Sequence, residues 1–181
     1  DNAAAGKLRE PVLRFAQWAR TAGISADKGT PYLFQTSRDD EALGQSPLRS
    51  PSVFNYFRPG YVPPQTAMAE AGMTVPEFQI HNETSTAGYI NFLQWMIRWG
   101  TENMRPTYAN MLPLAGDVTA LVEWLDLHFA AGQLTVETKL VIGTALSAAN
   151  VDDEASDDRK KDLLATACLL VMASPDYLVQ K

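Results

Sequence analysis

Histidine, cysteine and carboxylate side chains are the groups of this chain that could bind a metal ion or act in catalysis. The two histidines, His81 and His128, lie far apart in the sequence. Zinc sites need three or four ligands, usually with a pair of histidines one helical turn apart or a pair of cysteines. Neither pair occurs in the chain. We therefore predict no metal and no cofactor, a polar role for His81 near a helix start, and a solvent-side position for His128.

An acidic run between Asp152 and Asp158 has the composition of a calcium loop but not its spacing. Such a loop needs carboxylates at alternate positions, a glycine at the sixth and a glutamate at the twelfth. Counted from Asp152, those two positions hold Asp157 and Leu163. We expect instead that Asp157 and Asp158 lie at the amino end of a helix, where negative charge is favourable.

The remaining patterns for nucleophilic or nucleotide chemistry are weak. Cys168, the single cysteine, lies midway along the apolar stretch 163–173, which predicts an inert, buried thiol. The sequence contains no G-x-S-x-G, G-x-x-x-x-G-K or G-x-G-x-x-G string. It therefore gives no support for a hydrolase elbow, a P-loop or a dinucleotide site, and we lean towards a protein that is not an enzyme.

Aromatic residues offer another kind of chemistry, the stacking of rings. Trp95 and Trp99 are four residues apart, on the flank of an apolar helical stripe. Aromatic residues in that position usually border a hydrophobic core, which is the interpretation that we favour. An exposed pair would instead be able to stack on a sugar ring or on a partner.

The most distinctive string is SPSVFNYFRPGYVPP, over residues 50–64. Because prolines restrict the backbone, we expect its rings to fill the space between helices. Asn55, Tyr56 and Arg58 would then project from the opposite face of the segment and could form a docking lip. The candidate binding residues, should the chain hold a ligand, are Asn55, Tyr56, Arg58, Glu77, Trp95 and Trp99.

Apolar residues recur with helical spacing through most of the chain, and the first helix is predicted from this spacing. Pro11 suits the first turn of that helix, and Gly23 suits its carboxyl end. The polar residues 25–49 have no clear period and predict a long loop or surface wrap. The inward positions of the first helix are Leu8, Val12, Phe15, Ala19 and Ala22.

A short helix is predicted to follow this loop. Ser50 has the side chain of an N-cap, and Pro51 suits the first helical position. The shared face of this helix would consist of Val53, Phe54 and Phe57.

A capping box predicts another helix start, because Thr74 and Glu77 can each satisfy a backbone N–H of the other. The polar string 81–86 then interrupts this helix. A stronger helix follows and ends near Trp99. Its inward side is predicted to consist of Tyr89, Phe92, Leu93, Met96 and Ile97.

Three helices with clear start signals complete the chain. Asp117 and Thr135 are suited to cap the first two, and the third follows the acidic turn. The links between them are short, which makes them antiparallel neighbours in a bundle. Their inward positions are Val118, Leu121, Val122, Leu125 and Phe129 in the first, Val136, Leu140, Val141 and Ala145 in the second, and Leu163, Ala167, Leu170, Val171 and Ser174 in the third.

The fold class that follows is all-α, an irregular helical bundle with long proline-rich connecting loops. We predict one domain over residues 1–181, with a loop-rich half (1–113) and a three-helix half (114–181). The formal net charge of −6 argues against nucleic acid or an anionic membrane as the main partner. No apolar run approaches the roughly 20 residues that span a bilayer, so no membrane span is predicted.

Four strings together resemble the C-terminal region of an uncharacterised bacterial family catalogued as domain of unknown function 1800. They are KLREPV over 7–12, PSVFNYF over 51–57, PEFQI over 76–80 and SPDYLVQ over 174–180. Members of this family are longer, so the resemblance implies the terminal part of a larger protein. The chain opens in an alanine-rich stretch without an initial Met, which predicts a processed or cut N-terminus. Members are often encoded beside an exported protein of another family. This implies a periplasmic or extracellular setting and a protein partner. The family has no established catalytic residues to carry over.

Two hypotheses follow for the function. The leading one is a non-catalytic helical module of an exported protein, which associates with a protein partner or with the remainder of its own parent chain. The alternative is part of an enzyme acting on polysaccharide or envelope polymer, with a site shared with an absent N-terminal region.

Overall fold

The computed structural model describes residues 6–29, 33 and 35–181 of the chain. Its α-helices are α1 (Pro11–Thr21), α2 (Ala67–Glu70), α3 (Glu83–Arg98), α4 (Val118–Ala130), α5 (Val136–Ser147), α6 (Asp157–Ala173) and α7 (Pro175–Leu178). Single turns of 3-10 helix cover Pro76–Ile80 and Leu112–Leu114. The two-residue strands are β1 (Lys7–Leu8), β2 (Ile24–Ser25), β3 (Arg105–Pro106) and β4 (Val179–Gln180). The all-α prediction is confirmed, because only these short strands accompany the helices in the described ranges.

The chain divides into two compact units, which are described separately. The first unit comprises Asp1–Arg14, Phe34–Phe92 and Val179–Lys181. The second unit comprises Phe15–Leu33 and Leu93–Leu178. The assignment of residues 1–181 to one domain stays a prediction.

Strand pairing and the folded loop of residues 35–49 connect the segments of the first unit. Strand β1 pairs antiparallel with β4, with Leu8 opposite Val179. The loop approaches α3 at Gly88, where an added Cβ would lie 2.2 Å from the carbonyl oxygen of Asp39. Only glycine leaves room for such an approach of two backbones.

The first helix begins later than the apolar spacing predicted. Leu8 lies in β1, and α1 begins at Pro11, the residue predicted for the first turn. Gly23 has the positive φ of 65° expected after a helix end. The side chains of Arg14 and Trp18 are fully buried. The burial of Arg14 was not predicted from the apolar spacing, because a buried arginine depends on hydrogen-bond partners that lie distant in the sequence.

The predicted helix after Ser50 is wrong. Residues 50–58 form turns, one of them closed by a hydrogen bond of 3.2 Å from Asn55 N to Ser52 O. Asn55 adopts a left-handed φ of 66°, which does not continue a right-handed helix. Val53 is 94 % exposed and Phe54 is 60 % exposed, so these two side chains do not fill a space between helices.

The capping box at Thr74 and Glu77 is also wrong. The 3-10 turn begins at Pro76 with Val75 as its N-cap, and no side chain caps it. A reciprocal cap forms later in the chain instead. There, Ser85 N donates to Asn82 Oδ1 and Asn82 N donates to Ser85 Oγ, both at 2.9 Å. The start of α3 is therefore fixed by Asn82 and Ser85.

The second unit contains the predicted antiparallel helices, and its helix caps are mostly those predicted. Asp117 Oδ1 accepts from Ala120 N at 3.0 Å, and Thr135 Oγ1 accepts from Thr138 N at 3.2 Å. The cap of α6 is Ser156, which the sequence analysis did not name. The acidic run continues into the first turn of α6 as predicted, with Asp157 and Asp158 at its amino end.

The core of the second unit is formed largely by the predicted stripes of α4 and α6, together with the second half of α3. Cys168 is fully buried, and this burial raises the pKa of its thiol. An inert thiol was predicted at this position. The buried members of these stripes are Leu93, Met96, Ile97, Leu121, Val122, Leu125, Phe129, Leu163, Ala167 and Val171.

The prediction for α5 is wrong about which face is inward. Val136, Leu140, Val141 and Ala145 were predicted inside, yet all four are exposed. Ile142 and Leu146 are the buried residues of this helix. The sequence was ambiguous because α5 carries apolar residues on both sides, so its spacing could not decide which side contacts the rest of the unit.

Within the described part of the chain, none of the helices combines the length and apolar character that are needed to cross a membrane.

Candidate functional site

Two of the predicted lip residues contribute to a polar cluster inside the first unit. Asn55 Nδ2 donates to Glu10 Oε2 at 3.2 Å, and the same oxygen accepts from Gln45 Nε2. Tyr56 donates its hydroxyl to Ser46 O at 2.9 Å and accepts from Ser46 N at 3.0 Å. Both side chains therefore connect the 50–58 turns to neighbouring segments, which is a structural role.

The other two candidates of the first unit differ in their surroundings. Arg58 is exposed, and its backbone N–H donates to Gln79 Oε1 at 2.7 Å. The carboxylate of Glu77 forms an ion pair of 3.2 Å with Lys7 Nζ, and its side chain is 12 % exposed. Glu77 therefore links the 3-10 turn to β1, and no contact connects it to Asn55 or Tyr56 among those that the structure gives.

A buried cation lies in the first unit beside a histidine. Arg14 Nε donates to Arg9 O and its Nη2 donates to His81 Nε2, each at 2.7 Å. The guanidinium carbon also lies 4.6 Å from the centre of the Tyr89 ring, a cation–π distance. Because arginine only donates, His81 Nε2 must be unprotonated, and His81 Nδ1 then donates to Thr86 Oγ1 at 3.4 Å.

Burial and the charge of Arg14 together lower the pKa of His81 to about 4 from its ordinary value of 6.5. The unfolded chain therefore binds one more proton than the folded chain between these two pH values. The stability that depends on neutral His81 is fully present above pH 6.5 and is lost as the pH falls towards 4. The geometry thus predicts a histidine that stays neutral and accepts a hydrogen bond.

We expect the free energy of unfolding to fall by about 1–2 kcal/mol across this pH window because of His81, allowing for partial contact of the ring with water. The replacement His81→Gln keeps an acceptor for Arg14 but removes the titration. Urea unfolding of both proteins at several pH values measures the difference. Parallel pH profiles for wild type and variant would contradict this account of His81.

In the second unit, the tryptophan pair is not covered. Trp95 is 46 % exposed and Trp99 is 62 % exposed, so the interpretation as a covered core border is wrong. Arg98 lies beside them, with its guanidinium 5.8 Å from the Trp99 ring centre and 3.1 Å from Asp162 Oδ1. The pair therefore forms an exposed aromatic surface with polar neighbours.

Another exposed apolar surface of the second unit belongs to α5, and the start of this helix is firmly held. Asp176 Oδ2 accepts from Thr135 N and Thr135 Oγ1 at 2.9 Å, and from Thr138 Oγ1 at 2.7 Å. A carboxylate at a helix start also interacts favourably with the positive end of the helix dipole. The rotation of α5 about its own axis is therefore fixed by Asp176 at its start and by the buried Ile142 and Leu146 along its length.

Once α5 is held in this way, three large side chains face solvent. Val136 is 84 % exposed, Leu140 is 69 % exposed and Val141 is 62 % exposed. Together these three residues are called the α5 apolar face. Val136 and Leu140 lie one helical turn apart on the same side of α5, and Val141 follows on the neighbouring side. Single exposed apolar residues are common on protein surfaces, whereas neighbouring ones are typical of an interaction site.

A groove of about 650 Å³ runs between α4 and α5 beside this face. Gly143 lies in the groove, and a Cβ added there would meet no atom within 4 Å, so the space above the backbone is open. The residues that line this α4–α5 groove are Val118, Thr119, Val122, Glu123, Val136, Lys139, Leu140, Gly143, Thr144 and Ser147.

The single basic residue that lines the groove is neutralised by two carboxylates. Lys139 Nζ lies 2.6 Å from Asp126 Oδ2 and 2.9 Å from Glu123 Oε2. Hydrogen bonds to Asp126 and then Glu123 raise the pKa of Lys139 above its ordinary value. Asp126 is itself buried and accepts from Leu134 N at 2.9 Å. The two carboxylates and one ammonium leave this side of the groove negative.

A second depression of about 620 Å³ continues the groove, because the two share Val118, Thr119 and Ser147. Two carboxylic residues, Asp117 and Asp152, line it, and none of its lining residues is basic. This acidic depression lies at the carboxyl end of α5 and at the amino end of α4, where the two helix dipoles oppose each other. Arg159 Nη2 donates to Ala149 O and Asn150 O after α5, so the carboxylates of Asp117 and Asp152 give the depression its acidic character. The surface therefore passes from apolar at the start of α5 to acidic at its end.

The α5 apolar face was not predicted, although the sequence carries a usable signal for it. Leu140, Val141 and Ile142 are three consecutive apolar residues, and consecutive residues of a helix cannot all point to one side. At least one of them had to be exposed.

His128, for which a solvent-side position was predicted, is exposed, with its Nδ1 bonded to Trp124 O at 2.8 Å.

Comparison with known families adds an assignment without an activity. The family described as "Protein of unknown function (DUF1800)" matches residues 1–179, nearly the whole chain. No curated protein and no solved structure matches this chain.

Proposed function

This chain belongs to the DUF1800 family, and we propose that it is a protein–protein interaction module whose α5 apolar face docks a helix of another polypeptide. The observation that carries the proposal is the exposure of Val136, Leu140 and Val141 on a helix that is rigidly held. Covering such a surface with a partner is favourable by a free energy of about 25 cal/mol for each Å² of apolar area removed from water. Its position beside an open groove suits helix-in-groove binding.

The proposed module acts without catalysis of its own, as part of an exported bacterial protein. In support, Asn55, Tyr56 and Glu77 are engaged in contacts that connect segments of the first unit. Cys168 is buried, and burial raises the pKa of its thiol, so it does not supply a thiolate. The exported setting rests on the family resemblance and is tested by locating the protein in fractionated cells.

A photo-crosslinking residue placed at position 140 tests the docking function in the native cell. We expect it to capture one discrete polypeptide, which is then identified, purified and recombined with the full chain on a gel-filtration column. The matched control places the same residue at Thr166, an exposed position of α6. The double replacement V136D/L140D should abolish the reconstituted complex, because charged side chains would have to be buried without partners.

Capture at position 166 but not at 140 would contradict the proposal. A reconstituted complex that survives V136D/L140D would contradict it equally. Since both replaced residues are exposed, the variant is expected to fold, and circular dichroism verifies that it does.

A second candidate function is the binding of polysaccharide by the tryptophan pair, either alone or as part of an enzyme. The observation that favours it is the joint exposure of Trp95 and Trp99, with Arg98 and Asp162 beside them. Aromatic faces stack on sugar rings, and charged groups accept or donate to hydroxyls. Affinity electrophoresis in gels containing soluble cell-wall polysaccharide should retard the wild type but not W95A/W99A. Equal migration of the two would remove this candidate.

A further inference from the structure

We infer that the polypeptide docked in the α4–α5 groove is an amphipathic helix whose apolar stripe ends in a cluster of lysine or arginine residues. This inference rests on the docking function proposed above and adds the chemical class of the partner. Two features carry it: the close approach that Gly143 permits, and the change from an apolar to an acidic surface along α5.

Gly143 is a residue for which the isolated chain gives no structural reason. It lies inside α5, where glycine is less favourable than alanine by about 1 kcal/mol. Its φ is not positive, and a Cβ in its place would have open space around it. Neither turn geometry nor crowding within the chain therefore requires glycine here. A missing side chain does allow a partner helix to approach the α5 backbone closely, as small residues do at other helix contacts.

The charges select the kind of helix. The apolar part of the groove is bordered by Glu123, and helical spacing places Glu137 beside Leu140 and Val141. Further along, Asp117 and Asp152 line the acidic depression. A helix that lies along α5 with its apolar stripe on Leu140 and Gly143 would place its end over these carboxylates. Lysine or arginine residues at that end complement the potential, whereas aspartate or glutamate would be repelled.

A second copy of this chain is a poorer occupant. In a two-fold symmetric dimer, each patch faces the same patch of the other copy. With two α5 helices packed antiparallel, the acidic depression of one copy would lie over the α5 start of the other, where Glu123 and Glu137 are also negative. The formal net charge of each copy is already −6. The observed charges therefore favour a different, basic polypeptide.

The test uses the full chain and two fluorescent helical peptides of about 15 residues, a length that matches three to four helical turns. Both peptides carry the same leucine stripe. One ends in a lysine cluster, and the other ends in glutamates at the same positions. Fluorescence anisotropy should show the lysine peptide binding about tenfold more tightly at low salt, with the preference shrinking as salt is added.

Two sets of variants locate the binding. Gly143→Phe fills the groove with a residue that a helix tolerates better than glycine, and it should weaken both peptides by more than about tenfold. Its matched control is Thr166→Phe, at an exposed position of α6, which should leave binding unchanged. D117N/D152N keeps a side-chain cap at position 117 and should remove the preference for lysine while the leucine stripe still binds.

The outcomes separate this inference from the docking function. If both peptides bind equally well and Gly143→Phe blocks both, the proposal of a basic partner is overturned, while the docking surface is supported. Unchanged binding in Gly143→Phe would overturn the inference as well. A dimer of the chain in sedimentation that Gly143→Phe abolishes would replace the basic partner with a second copy. If neither peptide binds and the crosslinking residue at position 140 captures no polypeptide, both the basic partner and the docking function are overturned.

Discussion

Replacing Leu146 with alanine is expected to lower the free energy of unfolding by about 3 kcal/mol, whereas the same replacement at Leu140 is expected to change it by less than about 1 kcal/mol. Leu146 is 1 % exposed and Leu140 is 69 % exposed. Truncating the first leaves a cavity in the core of the second unit, while truncating the second removes a side chain that contacts mostly water. Urea unfolding, followed by circular dichroism, measures both changes.

The two replacements are matched in chemistry and lie on one helix, so their difference reports which face of α5 is inward. Val136→Ala extends the comparison to a second exposed position and should behave like Leu140→Ala. If Leu140→Ala were the more damaging change, α5 would be rotated relative to the structure, and the docking surface would not exist.

Replacing Arg14 with alanine is expected to lower the free energy of unfolding by about 3 kcal/mol. The replacement removes donors to Arg9 O and His81 Nε2 and the cation–π contact with Tyr89. The acceptors left behind are partly buried, and a buried polar group without a partner is unfavourable. The pKa of His81 should also rise, because the charge of Arg14 is one cause of its lowering, after burial. Chemical unfolding measures the first effect, and NMR titration of the histidine ring measures the second.

Arg20 provides the control for Arg14, since it lies on the same helix but is exposed. Arg20→Ala should change the free energy of unfolding by no more than about 0.5 kcal/mol. A loss in Arg14→Ala as small as that in Arg20→Ala would show that the buried guanidinium and its contacts contribute little to the stability of the fold.

The parts of this fold that could be predicted from the sequence depend on local chemistry. Asp117 and Thr135 cap α4 and α5 as predicted, because a cap requires only a side-chain oxygen and a backbone N–H three residues later. The stripe of α4 was correct as well, since Leu121, Leu125 and Phe129 lie on one side of that helix.

The parts that could not be predicted depend on contacts between distant segments. The helix expected after Ser50 failed because Asn55 adopts a left-handed conformation and bonds to Glu10. Arg14 was overlooked because its partner His81 is 67 residues away in the chain. In α5, apolar residues on both sides left the choice of inward face to tertiary packing.

The candidate site was affected by these same limits. The sequence named aromatic and polar residues, and the structure assigns Asn55, Tyr56 and Glu77 to contacts within the first unit. Trp95 and Trp99 are exposed, as a binding role requires. The α5 apolar face was missed because an exposed apolar residue and a buried one look alike in a sequence.

Maleimide labelling of the variant Leu140→Cys tests the central claim most directly, with the native Cys168 as an internal reference. Cys168 is fully buried and should stay unlabelled until the chain is unfolded. We predict that the cysteine at position 140 reacts as fast as one in an unfolded peptide, and that it becomes protected when the polypeptide captured at this position is bound. A cysteine at position 140 that reacts as slowly as Cys168 in the free chain would contradict an exposed α5 apolar face.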